Sequence, residues 1–120
     1  MNSKDMAMLA AKILADKKAQ DIVVIDISTK ATFADYFVLA SGSSERQIGT
    51  LSEEVDDRLA KEGFLVKSIE GKKNSGWILM DFGDVIVNVL TMEMRDRYHI
   101  EKVWGDCEFL NLEDEDVREI

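Results

Sequence analysis

The chain has 120 residues with a net charge of −9, no proline, one histidine (His99) and one cysteine (Cys107). That length fits one domain, which on folding buries roughly two-thirds of its unfolded surface and needs no covalent staple. A single thiol and a single imidazole exclude an internal disulfide and a structural zinc site, and no apolar run reaches membrane-spanning length.

The first predicted element is a helix over 3–18. Met6, Leu9, Ala10, Ile13 and Leu14 recur at i, i+3, i+4, i+7 and i+8, with Ser3 as N-cap and Lys17 and Lys18 near the negative end of the dipole. This segment lacks the apolar core of a signal peptide and carries Asp5 and Asp16, so it reads as part of a folded, cytoplasmic protein. Residues 22–28 (IVVIDIS) are β-branched and predict a strand, and a linker from Thr29 to Thr32 leads to a second strand near 34–41. Ser44 with Gln47 three residues on reads as a capping box. The helix that follows turns Ile48, Leu51, Val55 and Leu59 inward and ends with Gly63 at C′. A third strand is expected over 64–70, then a basic hairpin loop from Gly71 to Gly76. Strands four (77–82) and five (84–90) flank Gly83, a short helix lies near 92–98, and Ile100 to Trp104 leads into an acidic stretch.

The order α β β α β β β α predicts a single α/β domain, a mixed five-stranded sheet with flanking helices, rather than a doubly wound parallel sheet. The domain is expected to cover 1–105, with 106–120 an acidic C-terminal tail. That tail holds seven acids against one base, leaving 17 acids and 14 bases in residues 1–105. Direct nucleic-acid binding is disfavoured, because it depends on clustered Lys and Arg; a basic protein surface is the better electrostatic partner.

The chemical motifs are incomplete. Asp81-Phe82-Gly83 spells the magnesium-binding triplet of protein kinases, but the glycine-rich loop, paired lysine and catalytic loop are missing, so the triplet reads as a hairpin turn. Gly42-Ser43-Ser44 at a helix start offers backbone N–H groups to an anion, but a lone Gly-Ser turn is a weak signal and an ordinary Ser44 cap is the better explanation. A nucleotidyltransferase would add an Asp-x-Asp pair on a strand. The sole such pair here is Asp114-Glu115-Asp116, in the tail, and in Glu54-Val55-Asp56 the two side chains diverge around a helix. Asp81 and Asp84 flank a turn with no base or nucleophile beside them. His99 lacks a paired Ser or Cys, and acids around Cys107 raise a thiol pKa rather than lower it. No catalytic set, metal or cofactor is therefore expected, and the protein reads as non-enzymatic.

What remains is surface. In strand four Trp77, Leu79 and Asp81 alternate with Ile78, Met80 and Phe82. If helices cover the second set, the first forms an apolar patch rimmed by Asp81 and Asp84, the kind of surface that receives a protein partner with Trp as anchor. If both faces are covered, Trp77 is core.

Three segments, DYFVLASGSSERQ (35–47), EGKKNSGWILMDFGDVIVNVL (70–90) and RDRYHIEKVWGD (95–106), resemble the ribosomal silencing factor family, also called Iojap-like. The resemblance implies a nucleotidyltransferase-like fold without its catalytic carboxylates. It also implies a homodimer that docks on the large ribosomal subunit through ribosomal protein L-fourteen, blocks joining of the small subunit and represses translation when nutrients are short. By position it assigns Trp77, Leu79, Asp81 and Asp84 to the ribosomal-protein contact, with Arg95 and Tyr98 adjoining it. Asp35, Tyr36, Ser41, Gly42, Ser43, Arg46 and Gln47 fall in its first motif. Asn88-Val89-Leu90 stands where the family commonly has His-x-Phe. Two other classes remain open on the residues: a dimeric protein-binding adaptor, and a residual nucleotide-binding enzyme using Ser43, Ser44 and Asp84.

Overall fold

The computed structural model describes residues 2–112. Helix α1 spans Ser3–Asp16, and its cap is Asn2 rather than the expected Ser3. Asn2 accepts from the Asp5 N–H at 2.8 Å, and the Asp5 carboxylate accepts from the Asn2 N–H in return. The Ser3 hydroxyl instead donates to Asp35, 3.1 Å away, which ties the first turn to the chain entering the sheet. The helix ends at Asp16, so Lys17 and Lys18 lie past its last turn, and Lys18 takes a left-handed φ of 69°. Ala7, Ala10 and Ala11 are fully buried. Their small side chains let α1 approach the sheet closely.

Strands β1 (Gln20–Asp26) and β2 (Tyr36–Gly42) pair antiparallel, and helix α2 (Glu45–Lys61) follows, capped by Ser44 Oγ on the Gln47 N–H. Gly63, at φ 91°, closes α2 as expected, with the Phe64 N–H turned back to the Leu59 carbonyl at 2.9 Å. That closure shortens the next strand. Phe64 and Val66 pack against the core as irregular chain, and β3 covers only Ser68–Glu70 instead of 64–70. A 3-10 turn at Lys73–Ser75 precedes β4 (Trp77–Asp81), and β5 (Val85–Thr91) runs into α3 (Met92–Tyr98) and a one-turn helix α4 (Ile100–Val103).

Among the described residues the expected five strands are six. Residues Glu108–Phe109 form β6, antiparallel to β1, with Ile25 opposite Phe109 and Asp26 opposite Glu108. Two residues carry no alternation signal, so the element is invisible to periodicity. It covers the edge that β1 would otherwise leave open. Sheet order is β3-β4-β5-β2-β1-β6, and the β2–β5 pair is parallel while every other pair is antiparallel.

The two sheet faces are covered unequally. Helices α1 and α2 lie on one, over Val24, Val38, Ala40, Ile78, Met80, Phe82, Val85, Val87 and Val89. On the other, Ile25, Leu39, Ile86 and Leu90 meet Ile100, with Met94 and Trp104 half-buried beside them. Neighbouring residues of β4 should therefore respond differently to truncation. Met80→Ala, on the fully buried side, should cost about 2–5 kcal/mol of unfolding free energy, and Leu79→Ala, on the half-open side, distinctly less. Urea denaturation of the two variants measures the contrast.

Candidate functional site

The alternation of β4 places Ile78 and Met80 in the helix-covered core, while Trp77, Leu79 and Asp81 face the other way and stay half-buried. Across the ladder they oppose Leu90, Asn88 and Ile86 of β5 on one side and, for Leu79 and Asp81, Glu70 and Ser68 of β3 on the other, so β4 supplies a less covered strip of this face. The face lies between the two expected arrangements: Trp77 and Leu79 are half-buried, packed against a second apolar cluster rather than fully open.

The chain entering Trp77 is held tightly. Gly71 and Gly76 take left-handed φ values of 85° and 81°. A Cβ on Gly71 would collide with the Trp77 carbonyl oxygen, so glycine is needed there for space as well as for conformation. Ser75 Oγ donates to the Lys72 carbonyl at 2.7 Å and accepts from the Trp77 N–H at 3.4 Å. The turn thus sets where β4 begins.

Trp77 and Tyr98 come together, their ring centroids 5.5 Å apart and tilted by 44°. Tyr98 is half exposed at the end of α3. The indole Nε1–H donates to Asn88 Oδ1 at 3.0 Å. Trp77 and Leu79, with Glu70, Gly71, Ser75 and Met94, line a shallow depression of about 300 Å³.

Asp81 and Asp84 stand at the far end of β4, roughly 13 Å along the strand from Trp77. The Asp81 carboxylate accepts from the Gly83 N–H at 2.7 Å and shapes the hairpin turn, in which Gly83 has φ 96°. Asp84 is exposed, and its carbonyl accepts from the Asp35 and Tyr36 N–H groups at 2.8 and 3.1 Å. The two acids thus edge the face without joining the aromatic pair. Among the described residues no group of three or more His, Cys, Asp or Glu is arranged to hold a metal ion.

Arg95 is not on this surface. It is 8 % exposed, and its guanidinium forks onto Glu101 (Nε to Oε1 3.0 Å, Nη2 to Oε2 2.8 Å) while Nη1 donates to Ser41 Oγ at 2.9 Å. The residue ties the α3–α4 corner, where Tyr98 ends α3, to β2. It reads as a strut rather than a contact.

The sequence marked Asn88 only as a departure from the family pattern, and did not point to Met94 or the Lys30–Asp106 ion pair (2.8 Å), whose partners are 76 positions apart. Asn88 did carry a signal, as a polar residue inside an apolar strand; the ion pair carried none. Lys30 also lies 6.0 Å from the Trp104 ring, which packs edge-on against Phe33 and Phe37. The first motif proves structural at several points. Ser44 caps α2, the Gln47 carboxamide accepts from Ser43, and Ser41 serves Arg95.

Fold and site define a single-domain α/β protein whose distinguishing surface is a half-covered aromatic sheet face. The family model described as "Ribosomal silencing factor during starvation" matches residues 1–120, and the chain belongs to that family. It is 36 % identical over 113 residues to the ribosomal silencing factor RsfS of Bacillus subtilis, covering 94 % of this chain and 96 % of that one. It is 31 % identical over 103 residues to the mouse protein named mitochondrial assembly of ribosomal large subunit protein 1, covering 83 % of this chain and 45 % of the mouse protein. The crystal structure of protein CV0518 from Chromobacterium violaceum superposes with a TM-score of 0.84 at 34 % identity, over 88 % of each chain. No helix among the described residues is long and apolar enough to cross a membrane.

The Arg95 fork holds the Glu101 carboxyl below its ordinary range, against an opposing effect of partial burial. A carboxylate with a lowered folded-state pKa stabilises the fold above its unfolded value, here 4.5, and that contribution is lost as pH falls through the folded value. Acidification below about pH 4.5 should therefore loosen the α3–α4 corner, followed as a fall in melting temperature. In Glu101→Gln that part of the fall should be missing.

Proposed function

We propose that this protein represses translation by docking on the large ribosomal subunit through ribosomal protein L-fourteen, where its bulk blocks joining of the small subunit. The observation that carries the reading is the Trp77–Tyr98 pair beside Leu79 on the strip of sheet left half-open by the helices. Family membership supports a ribosomal target, and the name of the mouse relative refers to the large subunit in particular. Asp81 and Asp84 at the edge, in a chain of net charge −9, suit a basic protein partner. Trp77 acts as anchor, Leu79 extends the apolar contact, and the two acids orient the approach. In this reading the protein works in the cytoplasm as a homodimer, under nutrient limitation, on a nucleotidyltransferase-like sheet that carries no chemistry of its own.

The test is sedimentation with purified large subunits, followed by addition of small subunits. The protein should migrate with the large subunit and reduce the joined-ribosome peak. Trp77→Ala and Asp81→Lys should keep the fold by circular dichroism yet lose co-migration, since a central Trp anchor is worth about 2 kcal/mol or more. Continued co-migration of both variants would place the docking surface elsewhere.

A further inference from the structure

We propose that Asn88 is the positioning residue of this face: it holds the Trp77 indole by its only hydrogen-bond donor and so commits the ring to an apolar or cationic partner group. Asn88 is fully buried at the centre of β5, opposite Leu79 of β4 and Leu39 of β2. Its Oδ1 accepts the indole N–H at 3.0 Å, but its Nδ2 has no hydrogen-bond partner among the described residues. A buried amide with unused donors costs the fold more than an apolar group of the same size. Leucine would fill the volume without that cost. The polar group at this position is therefore accounted for by what its oxygen does.

An indole has one donor and no acceptor. With Nε1–H turned inward, Trp77 offers an incoming surface only ring face and carbon edge, tilted by Tyr98 over the depression that also involves Leu79 and Met94. Such a surface selects an aliphatic side chain, the flat guanidinium of an Arg or the ammonium of a Lys, not a carbonyl or carboxylate acceptor. Cations are also what Asp81 and Asp84 and the overall negative charge attract.

The binding half of this inference rests on the docking proposal; the positioning half does not, and the test separates them. In the ¹⁵N-labelled full chain, the indole cross-peak that vanishes in Trp77→Phe belongs to Trp77. In the wild type it should exchange slowly with solvent. Asn88→Leu should shift it and speed its exchange while melting at or above the wild-type temperature, because the unpartnered amide is gone. Asn88→His, whose ring nitrogen can accept the indole proton, should restore slow exchange; Asn88→Ala replaces the leucine variant if that one fails to fold. Affinity for large subunits should fall roughly ten-fold in Asn88→Leu and recover in Asn88→His. Unchanged exchange in Asn88→Leu overturns the positioning role, and unchanged affinity overturns the commitment of the ring. If the exchange pattern holds while even the wild type ignores large subunits, the positioning role is supported and the docking reading is what fails.

Discussion

The parallel pairing of β2 with β5 organises this molecule. Seven residues of each strand are in register, from Tyr36 opposite Val85 to Gly42 opposite Thr91, and the two strands sit at the middle of the six. A parallel pair cannot be closed by a tight turn, so the chain between them must cross over. Helix α2 makes that crossover and lies with α1 on one face of the sheet. The other face is left to short pieces of chain, α3 and α4, which cover its middle and leave β4 half-open. The exposure of Trp77 and Leu79 is thus a consequence of topology.

The short helices are held by a polar network as well as by the apolar seat of Ile100 and Met94. The Arg95 guanidinium reaches Glu101 on one side and Ser41 on the other, linking α3, α4 and β2 through one nearly buried charge. A charge at that depth is tolerable only when paired and hydrogen-bonded, and Arg95 uses all three of its nitrogens. The surface ion pairs between α1 and α2, Arg58–Asp16 at 2.9 Å and Lys17–Glu54 at 3.8 Å, are more exposed and contribute little by comparison. Tyr98 reaches the Trp77 ring from a helix anchored in this way.

The same face combines apolar area with negative charge at its edge, and these act at different ranges. In the proposed docking, the aspartates near the hairpin at Gly83 attract a basic partner at a distance, whereas the Trp77–Leu79 strip acts only on contact, through area removed from water. Separation along the strand keeps the exposed Asp84 carboxylate apart from the aromatic pair, so in the proposed docking it need not be desolvated for the rings to bind.

Most elements were legible in the sequence because their signals are local. The apolar spacing in α1 and α2, the alternation in β4, the Ser44 cap and the glycine ends are all set within a few residues. The family was legible from three segments, and the docking candidates Trp77, Leu79 and Tyr98 do share a surface. What the sequence left open needed contacts between distant positions. Strand β6 pairs with the edge of β1, Phe64 turns back to Leu59 after Gly63 ahead of a short β3, and Asn2 caps α1 while the Ser3 hydroxyl donates to Asp35. Periodicity placed Trp77 and Leu79 on one side of a strand; which side stays open depended on where α1, α2 and α3 pack. Arg95 shows the limit most plainly, since an arginine in a short exposed-looking helix reads as surface until Ser41 and Glu101 close around it.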